Sequence, residues 1–394
     1  MTGSVDLQRA LERLRRLHPR ARMWRHAEVE AGRVDGETGD QSFIYVSLYE
    51  HDITEHYRPL GGYNFIVANG FLASYAYNLA LVWLQGRDDR ALRRQRLRHN
   101  FKKFYAEAVL HARDVMLGRA LLLETLACEQ GLMAPLFDAA KLDPDLHERG
   151  QVLASTMSGL AQRHELGHYF HQRSPAEFIE AVSKALDGCL ATTLGNLGTR
   201  GDADQIEEVM CDGLAAHMGV LGIDEGPLSD DDLTANLRRT LFGLQAFYRL
   251  MDLRASAQVT ARESPQDASI VELGSEIRSK DQPVYAVGRQ PDVQLRSSVI
   301  AGALSDFAEA RGISLYGDDG EFPLTREAWE DFDDAFRHFG DEAPADTPSH
   351  MGCDARGRGI MRMVAEALSD HPGGTEHLLW RSKTFGRGGV PVDP

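Results

Sequence analysis

The stretch that decides the reading is His164-Glu165-Leu166-Gly167-His168. At about 100° per residue, histidines four apart stand one above the other on a helix, so both imidazoles reach a single metal ion. Glu165 is offset by roughly a quarter turn. That keeps its carboxylate out of the metal shell but close enough to take a proton from a water beside it. Leu153, Met157, Leu160, His164, His168 and His171 follow helical spacing, so an apolar stripe runs directly into the histidines. Ser174-Pro175 marks the stop. The spacing predicts a zinc site on an inward-facing helix; the competing reading is a core helix that carries two histidines for packing.

A catalytic zinc needs a third protein ligand and an open position. Ile206 to Met218 reads as a second buried helix, with Ile206, Met210, Leu214 and Leu221 as its greasy stripe. Its other stripe, Glu208, Asp212, Ala215 and Gly219, sets two carboxylates before small residues, as suits a face pressed against another helix. Glu208 is the preferred ligand. Asp212, one turn later, is placed to accept the outer N–H of a ligand histidine and fix its tautomer. Glu207 competes, and its spacing puts Cys211 rather than a carboxylate one turn on. The bland alternative is that both glutamates form a solvated helix start near the positive end of the macrodipole.

HExxH followed by Glu-x-x-x-Asp on a later helix resembles the gluzincin metallopeptidases, in particular the group of CAAX prenyl-protein and heat-shock membrane peptidases and phage-exclusion peptidases of the Lit type. Those families carry a later His-Pro-x-x-x-x-Arg element. This chain has Gln290-Pro291-Asp292-Val293-Gln294-Leu295-Arg296, with glutamine in the histidine position, while the rival His371-Pro372 is followed by His377 in place of arginine. The first keeps the order and makes Arg296 a supporting residue. The ImmA/IrrE repressor-cleaving peptidases, with a similar HELGH and glutamate helix, are a neighbouring resemblance. The likeness covers roughly residues 150 to 300 and says nothing of substrate. It implies a zincin-like metallopeptidase core with Zn2+ on His164, His168 and Glu208 and with Glu165 as base.

Length and composition frame this. The 394 residues, 43% hydrophobic and 26% charged, can bury a large core, and the predicted division is a catalytic domain over 1–312 with an acidic C-terminal extension over 313–394. A formal net charge of -16 argues against nucleic acid as a partner. Cys128, Cys189, Cys211 and Cys353 form no CxxC, so neither a thiol zinc site nor a disulfide framework is indicated. Met1 to Leu17 is arginine-rich without the apolar stretch of a secretory signal, which makes the cytoplasm the expected location.

Pro59 to Gly86 carries no charge, and a basic run follows through Arg87, Arg90, Arg93, Arg94, Arg96, Arg98, Lys102 and Lys103. This resembles a membrane helix with a cytoplasmic flank. Tyr63, Asn64, Asn69, Tyr75, Tyr77 and Asn78 interrupt it, and their polar groups suit a buried helix better than lipid. The basic run reads as a solvated helix face.

Met23 to Ala31 and Ser42 to Leu48 are predicted as strands of a small N-terminal hairpin; Arg98–Leu132, Glu148–Gln172, Pro175–Ala191, Asp204–Gly219 and Asp230–Leu253 are predicted as helices, the last capped by Ser229. The predicted class is α+β, mostly helical. Ser256 to Asp281 reads as a surface loop, Asp318 to Asp334 as an acidic stretch, 340–348 as a linker and 386–394 as a disordered tail.

The chemistry expected is peptide hydrolysis by an intracellular zinc endopeptidase acting on one or a few protein targets in a regulatory, defence or toxin-like role. Tyr169, His171 and Arg296 are candidate oxyanion donors, and His217 lies on the opposite side of its helix from Glu208. Two alternatives stay open. One is a membrane-associated peptidase of the CAAX or heat-shock type anchored through 59–86; the other is a non-catalytic, zinc-stabilised module whose acidic region binds a protein. Substrate identity, trigger and oligomeric state are not legible.

Overall fold

A computed structural model describes residues 3–17, 22–30, 42–49, 56–85, 90–113, 117–118, 121, 125, 144–197, 203–221, 228–263, 291–320 and 322–340. The elements in chain order are α1 (Gly3–Leu17), β1 (Arg22–Glu30), β2 (Ser42–Tyr49), β3 (His56–Leu60), β4 (Tyr63–Asn69), α2 (Gly70–Gln85), α3 (Arg90–Arg113), α4 (Pro144–Arg173), α5 (Pro175–Lys184), a 3-10 turn (Ala185–Gly188), α6 (Cys189–Leu197), α7 (Ala203–Leu221), α8 (Asp230–Glu263), α9 (Pro291–Ala310) and α10 (Arg326–Arg337). The described residues are mostly helical, with one small sheet. The readings of 32–41, Gln290, His371, His377, Cys128, Cys353, the linker and the tail lie outside the described residues.

The chain divides into two compact units, Met1–Ala73, Ser155–Phe247 and Gln294–Pro323 in the first, Ser74–Ala154, Tyr248–Val293 and Leu324–Pro394 in the second.

In the first unit the four strands run in the order β1-β2-β4-β3. β1 pairs antiparallel with β2, β2 parallel with β4, and β3 antiparallel with β4, leaving β3 as an edge. Period-two alternation sorts the side chains. Ile44, Val46, Phe65 and Val67 pack on Ala10, Leu11 and Leu14 of α1. On the opposite face Ile66, Tyr45 and Tyr57 pack on Leu166, Tyr169 and Phe170 of α4. The sheet thus lies between α1 and the HExxH helix, and full burial of each Ile, Val or Phe contributes about 1.5–3 kcal/mol.

The uncharged span from Pro59 does not form one membrane helix. Gly61 and Gly62, at φ +62° and +84°, make the two-residue turn joining β3 to β4, a conformation that glycine adopts without steric cost. Helix begins only at Gly70, and its 16 residues span about 24 Å, short of the roughly 30 Å of a bilayer's hydrocarbon core. Among the described residues no helix is long and apolar enough to cross a membrane.

Several boundaries differ from those predicted. α3 starts at Arg90 rather than Arg98, so the basic run is itself helical. α8 continues to Glu263, through the first part of the predicted loop. Its start is capped as expected, the Asp232 amide donating to the Ser229 hydroxyl at 3.1 Å. The predicted helix 175–191 is broken at Leu186 and Asp187, whose φ of 52° and 55° are left-handed.

In the second unit lies α10, which carries the later part of the acidic stretch. α10 packs on α3, with Phe332 edge-on to Phe101 and Trp83, and Phe336 edge-on to Phe101. Arg90 Nε and Arg94 Nε reach Asp331 at 2.7 and 2.5 Å, Arg93 donates to the same carboxylate, Arg98 reaches Asp334 at 3.1 Å and Arg249 reaches Asp333 at 2.7 Å. The basic run is therefore paired with the acidic helix rather than merely solvated.

Candidate metal centre

α4 and α7 approach closely where a Cβ on Gly167 would stand 2.9 Å from Cys211 Sγ and 3.0 Å from its Cα. A side chain there would force the helices apart, so glycine at 167 sets how near the second helix comes. Leu153, Met157, Leu160 and His164 are buried, as the helical stripe predicts. The stripe proposed for α7 is different from the one found. Ile206 is 42% exposed, whereas Val209, Cys211, Asp212, Ala215, Ala216 and Val220 are buried. The helix turns its small and carboxylate-bearing face inward, which leaves the larger apolar residues toward the rim.

That orientation brings three donors together. His164 Nε2 and His168 Nε2 stand 3.2 Å apart; Glu208 Oε2 is 3.2 Å from the first and Glu208 Oε1 is 3.3 Å from the second. Ligands at about 2.0–2.1 Å from a tetrahedral zinc are separated by about 3.3–3.4 Å. The His164–His168 edge matches that spacing, each imidazole faces one oxygen of Glu208, and one donor atom from each of the three residues lies within 4.8 Å of the others; imidazole with carboxylate is a donor set suited to zinc.

The outer nitrogens are held as well. His164 Nδ1 makes a close ion-pair contact with Asp212 Oδ1 at 2.7 Å, and His168 Nδ1 lies 2.9 Å from Glu207 Oε1. Glu207 faces the back of His168 instead of competing with Glu208 for the triad; the same oxygen stands 3.2 Å from His171 Nδ1. Arg296 from α9 donates to both oxygens of Asp212, at 2.6 and 2.9 Å, and its Nη1 lies 2.9 Å from Glu208 Oε2. Carboxylate, arginine and histidine thus form one chain of contacts, with Arg296 and Asp212 both buried.

Glu165 stands apart from the triad. Its Oε1 is 4.0 Å from His164 Nε2, and its Oε2 accepts the main-chain N–H of Tyr57 at 2.8 Å. The edge strand β3 therefore anchors the carboxylate, a contact no local pattern announces. Of the remaining candidates, Tyr169 is buried with its hydroxyl accepting from Arg173 at 2.7 Å, and His217 Nδ1 accepts the Leu186 amide at 3.1 Å on another side of α7.

The charged groups of the site shift one another's protonation. Burial alone would lower the His164 pKa, but Asp212 and Glu208 outweigh it and raise it to about 10. Burial would raise Asp212, yet Arg296 and His164 hold it at about 2, and Glu208 is held well below the usual range against the same burial by the two histidines and Arg296. Burial pushes Glu165 up. Among the described residues, Glu207, Glu208 and Asp212 are met by the imidazoles of His164, His168 and His171 and by the Arg296 guanidinium. Cys211 is held as a thiol by burial and by the surrounding carboxylates.

Comparison with protein-family models gives no match, and comparisons with curated proteins and with solved structures give none either.

Proposed function

We propose that the chain is a zinc-dependent endopeptidase of gluzincin type, with His164, His168 and Glu208 as ligands, acting on one or a few protein targets inside the cell. When bound there, zinc would supply Lewis-acid polarisation of a water and of the scissile carbonyl. Glu165 takes the proton from the attacking water as the new carbon–oxygen bond forms. It returns that proton to the amine nitrogen as the carbon–nitrogen bond breaks. Tyr57 orients the Glu165 carboxylate through its amide; Asp212 and Glu207 hold the two imidazoles by their outer nitrogens; Arg296 offsets the carboxylate charge and fixes Asp212.

The observation that carries this reading is the placement of Glu165: outside the donor triad, 4.0 Å from it, and anchored by a strand amide. A zinc site that only stabilised the fold would need no base at that point. The test is Glu165→Gln, which keeps the side-chain shape and is not a ligand. It should retain zinc and thermal stability while hydrolysis falls by several orders of magnitude. In cells the wild type should create new protein termini that terminal-peptide proteomics detects, and the variant should leave those proteins uncut. Identical termini in both would overturn the proposal in favour of a zinc-stabilised binding protein.

A further inference from the structure

Behind the triad a second set of donors meets. His168 Nδ1, a Glu207 oxygen and Cys211 Sγ lie within 4.8 Å of one another, with Sγ 3.6 Å and Glu207 Oε1 2.9 Å from Nδ1. Metal–sulfur and metal–nitrogen bonds of about 2.3 and 2.0–2.1 Å separate tetrahedral sulfur and nitrogen ligands by about 3.5 Å. The sulfur–nitrogen edge fits as it stands. The nitrogen–oxygen edge requires an opening of a few tenths of an ångström, which the partly exposed Glu207 side chain can make. The absence of a side chain at Gly167 is what admits the thiol.

We propose that Cys211, Glu207 and Nδ1 of His168 form a second metal site, selective for a thiophilic divalent cation and antagonistic to the triad. The thiol sets the class of ion. Sulfur with imidazole selects zinc or cadmium over magnesium and calcium, which require oxygen shells. Binding forms metal–sulfur and metal–nitrogen bonds and releases two protons, one from the Cys211 thiol and one from His168 Nδ1, while Glu207 exchanges an N–H for the cation. His168 then loses the carboxylate contact that orients it, and its ring serves two cations or turns from one of them. Excess zinc therefore weakens the centre that the first equivalent builds. The site itself stands on its own donors; only its antagonism rests on the reading of the triad.

The experiment is a cadmium titration of the full chain, followed by calorimetry and by the ultraviolet thiolate-to-metal charge-transfer band. In the wild type the band should grow with a second, weaker equivalent. Cys211→Ser and Cys211→Ala should each lose that band and that equivalent while keeping the first, and His164→Ala should lose the first while keeping the band. Circular dichroism identifies any variant that fails to fold, and the two Cys211 replacements differ enough in polarity that one serves where the other does not. A wild type without the band, or a band unchanged in both Cys211 variants, would overturn the second site. Retention of both equivalents in His164→Ala, with the band still lost in the Cys211 variants, would sink the triad and leave the second site standing.

Discussion

Two helix-borne clusters bring charge out of water, and they balance it differently. In the second unit Arg90, Arg93 and Arg94 converge on Asp331, whose side chain is wholly buried, and every partner needed is supplied by the protein. In the first unit Glu207, Glu208 and Asp212 face His164, His168 and His171, with Arg296 beside them. The first arrangement is closed, since removing Asp331 would deprive three guanidiniums of their shared carboxylate. The second leaves a gap among His164, His168 and Glu208 that we propose a divalent ion fills. The lesson is that buried charge as such says little; the sign and size of what remains after pairing separate a structural clamp from a site.

The sharpest way to break that comparison is to remove one member from each cluster. His164→Ala, His168→Ala or Glu208→Ala should lower zinc affinity by three or more orders of magnitude, read by competition with a chelator, because a three-ligand centre does not survive the loss of one. Asp331→Ala should leave zinc untouched and destabilise the protein by about 3–5 kcal/mol, the cost of breaking a buried charge pair from one side, seen in denaturant unfolding. If Asp331→Ala changed zinc content, or a ligand variant kept it, the distinction would fail.

A smaller effect sharpens it. Asp212→Asn keeps the shape but weakens the grip on His164 Nδ1, so zinc affinity should drop by about 10–100-fold. Glu207→Gln should act similarly through His168. An unchanged affinity in both would mean that the outer contacts do not support the centre.

Much of the site is legible in the sequence, and for a plain reason. The spacing of His164, Glu165 and His168 is a property of one helix, as is that of Glu208 and Asp212, so local periodicity carries it. Arg296, which the resemblance implies, lies in contact with Asp212 and Glu208 of α7. What escaped depends on contacts distant along the chain. Nothing near Tyr57 shows that its amide meets Glu165, 108 residues on. The basic run and the acidic stretch are far apart in sequence, although Arg90, Arg94 and Arg98 share the spacing of Glu327, Asp331 and Asp334 to within a residue; matching periods of opposite sign are the available signal. The Gly61-Gly62 pair between two β-prone runs is a hairpin signal within the uncharged span. Glu207 reads locally as a rival ligand or as part of a solvated helix start, whereas adjacent glutamates a quarter turn apart can serve opposite nitrogens of a histidine.

The smallest expected effect concerns pH. Burial would raise the Asp331 carboxyl, but hydrogen bonds from Arg90, Arg93 and Arg94 outweigh it and hold it below the ordinary aspartate range. A carboxyl depressed in the folded state contributes stability that is complete above its unfolded pKa of about 3.9 and is lost as pH falls through the folded value. The stability difference between wild type and Asp331→Asn should therefore be constant near neutrality and shrink as the pH falls below about 4, measured by urea unfolding across that range. A difference that grew on acidification would reverse the sign and refute the clamp.

The central claim, that the gap in the first unit is a metal centre, is tested most directly by zinc-edge X-ray absorption on protein dialysed against metal-free buffer. The expected result is about one zinc per chain, coordinated by two imidazole nitrogens and carboxylate oxygen, without sulfur. A chain that holds no zinc and unfolds at the same temperature with and without it, or a single zinc bound through sulfur, would contradict the account.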